Sequence, residues 1–138
     1  MRFQETIADY FKVNASGITA VYLFGSQASG KTIPGSDVDI AVLFDRSDPD
    51  FISSKIEEIL LQLPKLLRKD VHPLALNIAS EALLKQIFGK GRCLLVADSR
   101  KLAEFKMLAY ARIAGFGYYL KKMQSGLIRR VLEATPSG

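Results

Sequence analysis

Apolar residues along this chain repeat with a helical period of about 3.6 in some stretches and a strand period of about 2 in others. The switches between the two mark its elements. Phe3, Ile7 and Tyr10 recur at helical spacing and predict a short amphipathic helix over residues 2 to 12. The turn-forming "NASG" (14 to 17) breaks it. "ITAVYLF" (18 to 24), rich in β-branched and aromatic residues, then reads as a buried strand ending at Gly25. Beyond "GSQASG" and the turn-forming "KTIPGS", the run "DVDIAVLF" (37 to 44) alternates. Val38, Ile40, Val42 and Phe44 share one face, and Asp37, Asp39, Ala41 and Leu43 share the other.

Asp48 followed by Pro49 is an N-cap and first-turn signal, and Ile52, Ile56, Ile59, Leu60 and Leu63 carry the helix behind it until Pro64 ends or kinks it. "DVHPLALNI" (70 to 78) reads as a third strand, placed at an edge or irregular position by Pro73. Ser80 caps a helix through about Phe88, and "RCLLVAD" (92 to 98) is a fourth, hydrophobic strand. Ser99 caps a long helical stretch with Leu102, Phe105, Ala109, Ile113, Phe116 and Leu120 on one side, while Gly115, Gly117 and Gly126 weaken its continuity. The order α-β-β-α-β-α-β-α predicts an α+β fold, a small mixed β-sheet flanked by helices. One domain over 1–138 is expected, with a core at 1–98 and a C-terminal helical stretch at 99–134.

Composition narrows the setting. The chain has 138 residues, 49% of them apolar, which is enough for one real core. Its single Cys93, inside "RCLLVA", reads as a small buried hydrophobe, with no disulfide framework and no metal-type spacing. No apolar run reaches the roughly 18 residues of a membrane span, and the N-terminus is amphipathic, so a cytoplasmic protein is expected. The net charge of +5 is uneven, with eight Lys or Arg between Arg100 and Glu133 against Glu104 and Glu133. That excess reads as a solvated helical face or as a surface for an acidic partner. RNA-recognition signatures are absent and aromatics do not interleave with the basic residues, which argues against direct nucleic-acid binding.

Two devices for handling a triphosphate compete for "GSQASGKT" (25 to 32), which matches G-x-x-x-x-G-K-[ST]. A P-loop needs a helix beginning at Lys31-Thr32, whose N-terminus adds positive partial charge beside the phosphates. Pro34 and Gly35 interrupt any such helix within a turn, and a strand follows. "LLVAD", ending at Asp98, would be the acidic strand of that reading. The alternative puts the chemistry on Asp37 and Asp39, whose carboxylates project side by side from one strand face. Such a pair repels itself, and a hard divalent cation resolves the cost; Mg²⁺ is typically held by one or two carboxylates plus substrate phosphates. Gly25 lets the backbone come close to a phosphate because it has no Cβ.

Gly-Ser, ten residues and then Asp-x-Asp, standing here as "GSQASGKTIPGSDVD", resembles the signature of the nucleotidyltransferase superfamily that includes DNA polymerase β and kanamycin nucleotidyltransferase. The chain looks most like the minimal nucleotidyltransferases (MNT), small bacterial proteins typically paired with a HEPN toxin. The resemblance implies a nucleotidyltransferase fold with a long C-terminal helix, and transfer of AMP from Mg²⁺-ATP to a tyrosine hydroxyl of a cognate HEPN ribonuclease toxin. Asp37 and Asp39 would hold the metal, while Gly25, Ser26, Lys31 and Ser36 would face the nucleotide phosphates. Three departures stand out. The family's third-strand carboxylate is replaced by His72 in "VHPLALN", leaving Asp70 or His72 to take its place, or neither. Gln27 stands where many members have Arg, and the C-terminal helix lacks the family's Asp. Two other readings follow from these facts: an MNT-fold antitoxin that neutralises its partner by binding alone, and a transferase acting on a small molecule such as an aminoglycoside. Tyr110, Tyr118 and Tyr119 mark the C-terminal stretch as a candidate partner surface, and oligomerisation is left open.

Overall fold

A computed structural model describes residues 2–25 and 37–115. Helix α1 (Arg2–Val13) precedes β1 (Ile18–Phe24) and β2 (Val38–Phe44); α2 (Pro49–Leu67), β3 (Val71–Ala75), α3 (Glu81–Lys90), β4 (Arg92–Val96) and α4 (Ser99–Ile113) follow. The four strands form one sheet in the order β3-β2-β1-β4. β1 is antiparallel to both its neighbours, and β2 and β3 are parallel. The sheet is therefore mixed and flanked by helices on both faces, the α+β architecture that the periodicity predicts.

Two cores follow from the alternation of β1 and β2. Leu23, Val38, Ile40 and Val42 meet Ile7 and Phe11 of α1 and Ile59 and Leu63 of α2 on one face. Tyr22, Ala41 and Leu43 meet Leu84 and Ile87 of α3 and Leu102 of α4 on the other. The central strands are thus covered on both sides, and every residue of β1 is buried. Each large apolar side chain fully buried here contributes on the order of 1.5–3 kcal/mol.

Local signals set most boundaries. Asp48 caps α2 by accepting the Asp50 N–H, and Ser80 caps α3 by accepting the Leu83 N–H at 3.2 Å. The long third strand expected over 70–78 is shorter: β3 ends at Ala75 and a 3₁₀ turn, Leu76–Ile78, follows. That turn presents Asn77, whose side-chain amide accepts the Phe44 N–H at 2.9 Å and donates to the Phe44 carbonyl at 3.0 Å, closing the end of β2. β3 is an edge strand, as Pro73 suggests. Val38 N–H donates to the Asp70 carbonyl at 2.9 Å, with Val38 paired to Val71. The next β3 amide turned to β2 is therefore that of His72, and Pro73 sits where an N–H would face away from the sheet.

Four expectations are corrected. Of the two outcomes expected at Pro64, an end or a kink, the end does not occur there: the helix runs on to Leu67 and closes with the Arg68 N–H on the Pro64 carbonyl at 2.8 Å. Burial of Ile59 and Leu63 against the sheet outweighs the propensity of one proline. Leu60 lies outside the buried stripe of α2 and is 47% exposed. The cap of α4 is Asp98, which accepts the Lys101 N–H at 3.1 Å, so Ser99 is the first helical residue instead. Finally, among the described residues β4 has a strand neighbour on one side only, and Cys93 on it is exposed rather than buried. Leu102 and Ala109 of the predicted α4 stripe are buried, with Phe105 and Ile113 packed beside them. Phe116 and Leu120 lie outside the described residues. Among the described residues no helix is long and apolar enough to cross a membrane.

Candidate active site

Three strand ends meet in a row. The β1–β2 pairing sets Phe24 opposite Asp39, and the β2–β3 pairing sets Asp39 opposite His72. β1 leaves the sheet through Gly25, whose φ of 75° lies in the left-handed region that glycine adopts without strain. A Cβ on Gly25 would strike Oδ2 of Asp39 and lie 3.3 Å from its Cγ. The absence of a side chain there is what lets the Asp39 carboxylate lie against the end of β1.

Asp37 and Asp39 occupy different surroundings. Asp39 is partly buried, and desolvation raises its pKa above the ordinary carboxylate value; His72 opposes that rise and Asp37 adds to it. Asp37 immediately precedes β2, and its side chain is 47% exposed. Its Oδ2 lies 2.7 Å from Nε2 of His72, across 35 residues of sequence. That hydrogen bond is the main cause of a raised His72 pKa; desolvation opposes it, and the negative charges of Asp37, Asp39 and Asp70 add to the rise. The cluster is acidic, open to solvent on the Asp37–His72 side and drier around Asp39.

Of the residues singled out from the sequence, Gly25, Asp37, Asp39 and His72 come together here. Asp70 contributes differently: its carbonyl binds Val38, and its exposed side chain makes no hydrogen bond or ion pair among the described residues. His72, not Asp70, therefore stands at the register position of Asp39. Ser26, Lys31 and Ser36 lie outside the described residues. Sequence reasoning missed the direct Asp37–His72 contact. It depends on the parallel register of β2 and β3, for which the sequence carries no marker beyond the starts of the two strands.

The donor set suits a hard cation shared with a nucleotide. Among the described residues no three His, Cys, Asp or Glu side chains form an all-protein metal cage. Two carboxylates at one strand end are the protein share that Mg²⁺ takes when phosphates supply other ligands, and the mutual repulsion of Asp37 and Asp39 gives such an ion something to neutralise.

The sequence model of the family described as Polymerase beta, Nucleotidyltransferase matches residues 5–100. This chain belongs to that nucleotidyltransferase family. Its members use a nucleotide and a divalent metal ion, and the strand ends just described fall inside the matched region. The fold is shared with solved toxin–antitoxin structures. A chain of a toxin–antitoxin with AMP-PNP is 25% identical, with a TM-score of 0.64 and coverage of 94% of this chain and 98% of that one. A chain of a toxin–antitoxin MntA–HpeT mutant is 26% identical, with a TM-score of 0.61 and coverage of 93% and 96%. A third, from the tri-AMPylated Shewanella oneidensis HEPN toxin in complex with MNT antitoxin, is 24% identical over 94% and 96% with a TM-score of 0.58, a likeness of fold alone. A comparison with curated proteins finds no significant match. These likenesses agree with the minimal nucleotidyltransferase resemblance of residues 25 to 39, and family membership removes the P-loop reading of "GSQASGKT".

Proposed function

We propose that this nucleotidyltransferase is an antitoxin that transfers AMP from Mg²⁺-ATP to a tyrosine hydroxyl of a cognate HEPN toxin. The observation that carries the reading is the convergence of Asp37 and Asp39 on the Gly25 end of β1. The likeness to a toxin–antitoxin with AMP-PNP supports the nucleotide, and the toxin–antitoxin likenesses at 25% and 26% identity support a toxin as partner. Asp37 and Asp39 would hold Mg²⁺, which would supply charge neutralisation at the triphosphate. Gly25 admits the phosphates close to the backbone, and Ser26, Lys31 and Ser36 bind them from the segment that follows. The tyrosine oxygen bonds to the α-phosphorus, the bond to the β-phosphate breaks, pyrophosphate leaves, and the hydroxyl proton is released. No protein nucleophile is needed, so the rate comes from positioning and charge neutralisation. The added AMP puts bulk and negative charge on the toxin. Tyr110, 48% exposed on α4, belongs to the surface offered to that partner.

A second reading has its own observation. His72 stands in place of the family's third carboxylate and is bonded to Asp37, which favours an antitoxin that neutralises by binding. Intact-mass measurement of a co-purified HEPN partner, incubated with Mg²⁺-ATP, separates the two. A gain of one AMP residue or more, lost in the Asp37→Ala, Asp39→Ala double variant, supports transfer. An unchanged mass with retained binding refutes transfer and leaves neutralisation by occupancy. A partner neither bound nor modified, with AMP appearing on a small-molecule hydroxyl such as an aminoglycoside's, refutes both.

A further inference from the structure

The two carboxylates of the candidate site are held by different means. Asp39 is fixed by its place in β2, its partial burial and its contact with Gly25. Asp37 stands just outside the strand, its side chain 47% exposed, and among the described residues it has no comparable packing. Among the described residues its one side-chain partner is His72, at 2.7 Å. That bond uses Oδ2 of the carboxylate and Nε2 of the imidazole; Oδ1 of Asp37 accepts nothing among the described residues. His72 itself is set by backbone pairing, because its strand register places it opposite Asp39. The imidazole thus comes from a fixed element and reaches the less constrained carboxylate.

We propose that His72 is a positioning residue that anchors Oδ2 of Asp37, leaves Oδ1 to a divalent cation, and limits the site to one such ion. The inference rests on the nucleotidyltransferase reading of this site. Groups hydrogen-bonded behind a metal ligand restrict its rotamers and so raise its affinity. The limit to one ion follows from charge and donor count. Asp37 and Asp39 together balance one dication, and no further His, Cys, Asp or Glu among the described residues completes a cage with them. A second dication would find no third protein carboxylate among the described residues at the β3 register, where His72 stands opposite Asp39. A carboxylate in place of His72 would remove the anchor and supply that missing charge.

Mn²⁺, counted by the electron paramagnetic resonance of the free ion, is the probe. His72 is 61% exposed, so its variants are expected to fold, which circular dichroism checks. Without nucleotide, His72→Ala should weaken Mn²⁺ binding about 10-fold. His72→Gln, which keeps an N–H donor near the Nε2 position, should restore most of the loss. With a stoichiometric non-hydrolysable ATP analogue, the parent chain should take up one Mn²⁺ and His72→Asp two. Equal affinity in the parent and His72→Ala, or two ions in the parent, overturns the proposal. A parent chain that binds no Mn²⁺ under either condition defeats the site reading itself, and the inference with it. Failure of AMP transfer alone leaves these measurements intact, so the two claims fail separately.

Discussion

Replacing Gly25 with alanine tests the candidate site at its narrowest point. The backbone there has a φ of 75°, which an L side chain adopts at a cost of about 1–2 kcal/mol. The new Cβ would also meet Oδ2 of Asp39, so that carboxylate must swing away from the end of β1. With both contributions the loss in stability should be about 1–3 kcal/mol, or a fall of roughly 4–12 °C in melting temperature for a chain of this size. Displacing Asp39 by about 1 Å should lower AMP transfer about 100-fold. Gly17→Ala is the matched control. Its φ is 77° and its Cβ would strike the ring of Phe51, under the opposite end of β1, so it should lose at least as much stability. Thermal melts and intact-mass assays of the partner, run below both transitions, compare the two. Gly25→Ala transferring AMP at the parent rate while folded, or Gly17→Ala losing transfer equally, would show that the Gly25–Asp39 contact has no part in the chemistry.

Other expectations concern stability. Asp98→Ala should cost about 1 kcal/mol through loss of the α4 cap, whereas Ser99→Ala should change stability by less than about 0.5 kcal/mol; chemical denaturation distinguishes them. Ile40→Ala removes a fully buried side chain from the central strand β2 and should cost about 2–5 kcal/mol by the same measurement. The His72–Asp37 bond raises the folded-state pKa of His72 above its ordinary 6.5. Its contribution to stability is therefore fully present below that ordinary value and is lost as pH rises through the elevated one. Metal-free melts across this window should show a steeper decline for the parent than for His72→Gln, and parallel curves would count against the bond.

How far the sequence could be read differs from element to element. β1 and β2 were legible because both faces of the sheet are covered, so β-branched runs and alternation show through without ambiguity. Val38, Ile40 and Val42 do face one core while Ala41 and Leu43 face the other. α2 was legible in type but not in its end, because proline propensity is a local cost and the burial of Leu63 is a tertiary gain. Cys93 was misread for a related reason. An apolar run carries no sign of whether its strand will have one neighbour or two, and among the described residues β4 has one.

The candidate site divides along the same line. The sequence by itself determined that a glycine ends one strand and that two aspartates share a face near the start of the next, because chain direction and a period of about 2 suffice for that. It left two candidates, Asp70 and His72, at the start of the third strand. Only the tertiary structure decided between Asp70 and His72 as the group opposite Asp39, and only it joined His72 to Asp37. Those facts depend on the parallel register of β2 and β3, and a register belongs to two strands packed together rather than to either one alone.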